Sequence, residues 1–198
     1  MQLALRFGVG RCVKTIRQYS GLPVIYDHQK YGTDIPEISG GAVLRILREA
    51  GVDAVIVFPH AGPRTLQATV EGCSRYGLVA IVGGEMTHSG FLVKDGGYLT
   101  DEAPARIYED AARLGVEHFV LPATRPTNIR RYREILASLV SEPRFLFPGI
   151  GKGQGGDIVQ AFDSVEPFPA YAIVGRGIYA EPDHAKAARN LWQNVAAG

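Results

Sequence analysis

Short apolar runs alternate along the chain with longer stretches in which apolar residues return every three or four positions. Leu22–Tyr26, Ala54–Phe58, Leu78–Val82, His118–Leu121, Phe145–Phe147 and Ala170–Val174 form the first set. They are apolar or β-branched throughout, as expected of parallel strands covered on both faces. The second set has helical spacing: Ala42, Leu44, Ile46 and Leu47; Leu66, Val70 and Cys73; Ile107, Ala111 and Leu114; Ile129, Tyr132, Ile135 and Leu139; Ala185, Ala188, Leu191 and Val195. Gly51, Gly77 and Gly115 follow helical stretches where a left-handed cap is expected, and Pro126 and Pro182 suit first helical turns. Such βα alternation predicts a barrel or a doubly wound sheet. Without a linker, a repeat or a low-complexity tract, residues 1–198 are expected to form one domain. At the front, Leu3–Phe7 is a short strand candidate, although Leu3, Leu5, Val9, Val13 and Ile16 fit a helix equally well. Eight strands are not found. Either a closed barrel here lacks its first one or two strands, or the sheet closes in another way.

Two glycine-rich loops follow the last two apolar runs: residues 148–157, Pro-Gly-Ile-Gly-Lys-Gly-Gln-Gly-Gly-Asp, and residues 174–179, Val-Gly-Arg-Gly-Ile-Tyr. A phosphate needs converging N–H donors and close backbone approach, which glycine allows, and it gains a permanently charged, bidentate partner from arginine. In a βα barrel the loops after the seventh and eighth strands are the usual place for such a site. A phosphoester substrate is therefore expected.

Charge and composition narrow the picture further. With 21 Lys and Arg against 20 Asp and Glu, the net charge of +1 gives no field that points to nucleic acid or an anionic membrane. The two cysteines, Cys12 and Cys73, lack metal-type spacing and read as buried or semi-buried thiols of a reducing compartment. No apolar run approaches the roughly 20 residues that span a bilayer, and no signal-peptide order opens the chain. A soluble, cytoplasmic protein is expected. His28, His60, His88, His118 and His184 share no ligand spacing and read as loop or surface histidines, so no metal site is expected.

A resemblance gathers these features. The run Asp27-His28-Gln29-Lys30-Tyr31-Gly32-Thr33-Asp34-Ile35-Pro36, the segment Glu85-Met86-Thr87-His88-Ser89-Gly90, the turn Leu121-Pro122-Ala123-Thr124-Arg125-Pro126 and both glycine-rich loops occur in this order. Together they resemble the orotidine 5'-monophosphate decarboxylase family over roughly the whole chain. The resemblance implies a TIM-type (β/α)8 barrel of the ribulose-phosphate-binding kind, here lacking the first one or two strands. It also implies a homodimer that converts orotidine 5'-monophosphate to UMP in pyrimidine biosynthesis, with no metal or organic cofactor.

Carried over residue by residue, the resemblance implies catalytic roles for Lys30, Asp27 and Asp34. Lys30 would stabilise the C6 carbanion and protonate it, Asp27 would hold Lys30 and face the substrate carboxylate, and Asp34 would reach in from the partner subunit. Thr87 stands where the family places a serine on the pyrimidine. Pro148, Gln154, Gly175 and Arg176 would hold the phosphate end, and Ile35 counts among the substrate-binding positions. Asp27 and Lys30 stand three positions apart, farther than the family's same-face pair, so a bulge or an early strand end would have to bring them together, with slack from Gly32. Ile38 stands where a threonine is common, and the family's first ribose-binding aspartate and first array lysine have no counterpart.

Other readings stand beside this one. A magnesium-dependent phosphosugar aldolase or decarboxylase of the same superfamily would use the Asp-Lys-Asp region for metal and enediolate, and a truncated chain would bind nucleotide phosphate without catalysis. Individually, Asp27 with Lys30 reads as a salt bridge, Asp34 as a helix N-cap and Trp192 as a packing residue of the last helix. Gly83 and Gly84 read as a ligand's close approach or a tight turn.

Overall fold

The computed structural model describes residues 7–27, 31–150 and 156–196, with side chains described to residue 193. Contacts divide the chain into two compact units, Met1–Gly84 with Asp110–Val116, and Glu85–Glu109 with Glu117–Gly198. The Leu3–Phe7 strand candidate lies outside the described residues except for its last position. Among the described residues, no helix is long and apolar enough to cross a membrane.

The first unit opens with α1 (Val9–Tyr19) and continues through β1 (Ile25–Asp27), α2 (Pro36–Ser39), α3 (Ala42–Glu49), β2 (Ala54–Val57), α4 (Pro63–Tyr76) and β3 (Val79–Gly83). Its three strands pair in chain order and in parallel, with Ile25 opposite Ala54 and Ala54 opposite Val79. All four residues of β2 are buried, so this strand is covered on both faces as the apolar run implied. The β1 run starts later than its apolar stretch suggested. Leu22 is 73% exposed and outside the strand, because Asp53 Oδ2 accepts from Val24 N and sets the pairing from there.

The helices bury narrower stripes than their apolar positions allow. Leu44 and Leu47 of α3 are buried while Ile46 is half-exposed, and Leu66, Thr69 and Cys73 carry the buried face of α4. Burial pushes the Cys73 thiol up to about 12, so the packing account of this cysteine holds. The glycine caps occur where expected, with Gly51, Gly77 and Gly115 all at positive φ.

Helix α2 lies against α4 with almost no side chain between them. A Cβ on Gly40 would fall 2.3 Å from Ala68 O, and one on Gly72 would fall 2.4 Å from Gly40 O. Buried Thr65 of α4 donates to Asp34 O at 2.9 Å, and the Tyr31 hydroxyl donates to Ser39 O at 2.5 Å. The segment after β1 is thus held to α4 by backbone contact.

The second unit comprises a 3-10 turn (Val93–Asp95), most of α5 (Ala103–Arg113), β4 (His118–Val120), α6 (Pro126–Leu139), β5 (Arg144–Phe147), α7 (Ile158–Asp163), β6 (Ala170–Ala172), α8 (Arg176–Tyr179) and α9 (His184–Ala196). Strands β4, β5 and β6 pair in parallel and in order. Aromatic residues fill this core: Tyr108 meets Phe119 edge-on and Tyr132 at 4.8 Å between centroids, and Phe147 packs on Phe162. Pro126 occupies the first turn of α6 as expected.

Three expectations fail in this unit. Pro182 precedes α9 rather than entering it, and Asp183 makes the cap by accepting from Lys186 N at 2.9 Å. Trp192 is 66% exposed, since the half-buried stripe of α9 runs through Ala187 and Leu191 and the next position turns away from it. Leu139 ends α6 and is partly exposed, while Leu136 takes the buried place.

Two outcomes follow from the first unit. Alanine for glycine inside a helix ordinarily stabilises by about 1 kcal/mol, yet Gly72→Ala should destabilise by about 1–3 kcal/mol because the methyl group meets the backbone of α2; the urea midpoint reads the sign. Asp53 ties α1 to β1, accepting from Val24 N and pairing with Arg17, and the Val24 N–H followed by Arg17 holds its carboxyl below the usual carboxylate range. Its folded value is depressed, so its stabilisation is present above roughly pH 4, the ordinary Asp value, and is lost as pH falls through the lower folded value. Asp53→Asn should therefore lower Tm at neutral pH and narrow the gap to the parent below that range.

Candidate active site

Asp27 ends β1 in regular register, opposite Ile56, and its Oδ1 is screened from solvent. No bulge interrupts the strand up to that point. Residues 28–30, including Lys30, lie outside the described residues. The chain then crosses the C-terminal end of β2, where Tyr31 O accepts from Phe58 N at 3.0 Å and Gly32 O accepts from Ala61 N at 3.3 Å. Gly32 gives no slack here. Its φ is +94°, and a Cβ would fall 2.6 Å from Val57 Cγ2 and 2.9 Å from Phe58 O, so it is fixed by close packing.

Asp34 follows with its side chain exposed. It is not the N-cap of α2, because Ile35 occupies that position and Asp34 Oδ1 accepts from Ile35 N at 2.8 Å. Ile35 and Ile38 beside it are 56% and 46% exposed. The exposed Asp34 carboxylate thus stands beside two exposed isoleucines, with its own carbonyl accepting from Thr65. Nearby, Gly83 needs no ligand to explain it: a Cβ there would fall 2.3 Å from the Phe58 ring. His60 is half-buried rather than a surface residue, and that burial pushes its imidazole below the ordinary value, so it is neutral near pH 7.

In the second unit, neighbouring strands β5 and β6 deliver both glycine-rich loops side by side. Phe147 pairs with Ala172, and Ile173 N donates to Phe147 O, so Pro148 and Gly175 leave the same end of the sheet. Residues 151–155, and with them Gln154, lie outside the described residues. The base of that loop is closed by a parallel bridge from Ile150 to Gly156 and by Gly156 N donating to Gly149 O at 3.1 Å. Gly149 has φ +88°, and a Cβ there would lie 3.2 Å from Thr87 Cγ2 and 3.7 Å from Thr124 Cγ2. Thr87 therefore borders the start of the first phosphate-type loop. Arg176 opens α8 immediately after Gly175, with its side chain exposed. The structure thus brings Thr87, Pro148, Gly175 and Arg176 to one strand end of the second unit, and Asp27, Asp34 and Ile35 to one strand end of the first.

One cluster carried no role in the sequence reading. Glu85 is 1% exposed and accepts from Asn128 Nδ2 at 3.0 and 2.9 Å and from the Tyr132 hydroxyl at 2.7 Å. Its Oε1 lies 3.3 Å from Arg125 Nη1, which pairs with Asp95 at 2.6 Å. The Glu85 backbone N–H points to the Tyr108 hydroxyl at 3.3 Å, and that hydroxyl donates to Val120 O. Burial, and then the hydrogen bond to Glu85, raise the Tyr132 hydroxyl well above its ordinary value, so it stays a donor. Arg125, Asn128 and Tyr132 are three and then four residues apart, one face of a helix, and that polar stripe was the available signal.

The family model described as Orotidine 5'-phosphate decarboxylase / HUMPS family matches residues 1–191. The orotidine 5'-phosphate decarboxylase of Methanosarcina barkeri is 33% identical over 198 residues, which is 98% of this chain and 80% of that protein. That of Pyrococcus abyssi is 33% identical over 92% of this chain and 78% of its own length. Among solved structures, the Methanocaldococcus jannaschii orotidine 5'-monophosphate decarboxylase complexed with inhibitor BMP superposes with a TM-score of 0.81 at 26% identity, over 97% of this chain and 81% of that one. The Pyrococcus horikoshii enzyme gives 0.76 at 26% identity, over 98% and 83%. The parallel βα units assembled above are those of a TIM-type barrel, and this chain belongs to the orotidine 5'-phosphate decarboxylase / HUMPS family.

Proposed function

We propose that the chain decarboxylates orotidine 5'-monophosphate to UMP without a metal or organic cofactor. The observation that carries this reading is the placing of Thr87 against Gly149, with Pro148, Gly175 and Arg176 leaving the same ends of adjacent strands. A pyrimidine-reading hydroxyl then borders the glycine-rich loops suited to a phosphate. The solved relative that carries the inhibitor BMP supports a nucleotide as the ligand class.

In the reaction the bond from C6 to the carboxylate breaks, the electron pair stays on C6 and carbon dioxide departs. The Lys30 ammonium stabilises that pair and then delivers its proton to C6, and the amine recovers a proton from solvent. Asp27, at the end of β1, holds Lys30 and faces the departing carboxylate. Asp34 completes the array from the partner subunit of a homodimer, a role supported by its exposure and by the exposed apolar side chains of Ile35 and Ile38 around it. The hydroxyl of Thr87 hydrogen-bonds the base, and Gln154, Gly175 and Arg176 hold the phosphate far from the breaking bond. Binding energy from that remote end serves to orient the base in the transition state.

Three measurements test this reading. The ultraviolet change on conversion of orotidine 5'-monophosphate should be seen with the purified chain and should be untouched by a chelator; loss of activity with chelator favours enediolate chemistry on magnesium. UMP binding in calorimetry without any turnover overturns catalysis in favour of a nucleotide-phosphate binder. Arg176→Ala should raise KM and also lower kcat, together costing about 2–4 kcal/mol in kcat/KM, within the range for losing a charged donor at a preorganised site. Unchanged kinetics in that variant would remove Arg176 from the phosphate site.

A further inference from the structure

Glu85 begins the segment that carries Thr87, and its carboxylate is withdrawn from water more completely than any other charged group among the described residues assigned to the core. Burying an ion pair is poor value for stability alone, because desolvation offsets much of the attraction and an apolar replacement of similar shape often does as well. Geometry is what the charges secure. Arg125 sits between two carboxylates, with Nη1 3.3 Å from Glu85 and 2.6 Å from Asp95, while its Nη2 reaches the His88 carbonyl at 3.5 Å. Glu85 is anchored in turn to the α6 face by Asn128 and Tyr132.

The far end of this chain of contacts is solvent-side. Arg125 and Asp95 side chains keep 20% and 31% of their exposure, against 0% for Glu85. Asp95 closes the 3-10 turn of a compact loop whose ends meet through the Leu92–Leu99 bridge and Gly97 N donating to Leu92 O at 2.8 Å. The strut therefore passes from buried Glu85, two residues before Thr87, through Arg125, which also holds the His88 carbonyl, to Asp95 on the solvent side. Among the described residues of the loops after β5 and β6, none bonds to Glu85, Arg125 or Asp95 in the contacts above.

We infer that Glu85, Arg125 and Asp95 are positioning residues that set the pose of Thr87, so that recognition of the pyrimidine depends on them and recognition of the ribose phosphate does not. This rests on the decarboxylase reading. It assigns no chemistry to the three residues themselves, and their effect passes through the Thr87 segment. A hydroxyl held at the wrong distance loses its contact to the base, while the contacts that hold the phosphate stay in place.

The test uses the full chain and its Asp95→Asn, Arg125→Lys and Glu85→Gln variants, with UMP and ribose 5-phosphate as paired ligands in calorimetry and orotidine 5'-monophosphate in the kinetic assay. Asp95→Asn, the mildest and most solvent-side change, should weaken UMP binding and lower kcat/KM by about tenfold or more, consistent with a small misplacement of a contact group. Its affinity for ribose 5-phosphate should stay within about twofold of the parent, and Arg125→Lys, which keeps the charge without the fork, should be intermediate. Equal losses for both ligands would mean a general structural role, and no loss for either would mean that the strut does not govern Thr87; each overturns the inference. Should Glu85→Gln fail to fold, the Asp95 and Arg125 variants still decide it. A parent chain that binds ribose 5-phosphate but neither binds UMP nor turns over substrate would instead overturn the decarboxylase reading, and the inference with it.

Discussion

A carboxylate taken out of water must meet enough donors to replace its hydration, and the second unit is arranged around that demand. Glu85 is satisfied by an amide, a phenol and a guanidinium supplied by α6 and the turn before it. Meeting those donors fixes where β3's successor segment leaves the sheet, and Tyr108 adds a second anchor by bridging Glu85 N and Val120 O. Thr87 stands two residues on from Glu85. It falls beside Gly149, at the mouth of the loop after β5.

The first unit solves a comparable problem with backbone rather than charge. Gly40 and Gly72 let α2 and α4 approach until a methyl group would not fit, and Thr65 and Tyr31 donate to carbonyls on the strand-to-helix segment. Close approach of this kind resists displacement because any movement loses dispersion contact on both sides. The exposed Asp34 is therefore presented on a stiff base. Under the role proposed for Asp34 across a subunit boundary, that base would preserve the alignment on which electrostatic catalysis depends.

Much of this was legible in the chain. The six apolar runs became six strands, and runs buried on both faces, such as Ala54–Val57, gave no ambiguity because nothing polar interrupts them. Helix faces were read less well: Ile46 and Trp192 were counted as packing residues and are exposed. Hydrophobicity marks what can be buried, whereas the neighbours available in space decide what is. The roles of Gly32 and Gly83 could not be read locally either, since the atoms that forbid a side chain there belong to Val57 and Phe58, at and just past the end of β2.

What the amino-acid order determined by itself was the alternation of strand and helix, the two glycine-rich loops at strand ends, and the residue types at each motif position, because periodicity and backbone preference act over a few neighbouring residues. What only the tertiary structure decided was which distant side chains share one carboxylate. Glu85, Asp95, Arg125, Asn128 and Tyr132 meet only after the loop after β3 folds back onto α6. Coulombic and hydrogen-bond energies depend on separation in space, and separation along the chain carries almost none of that information.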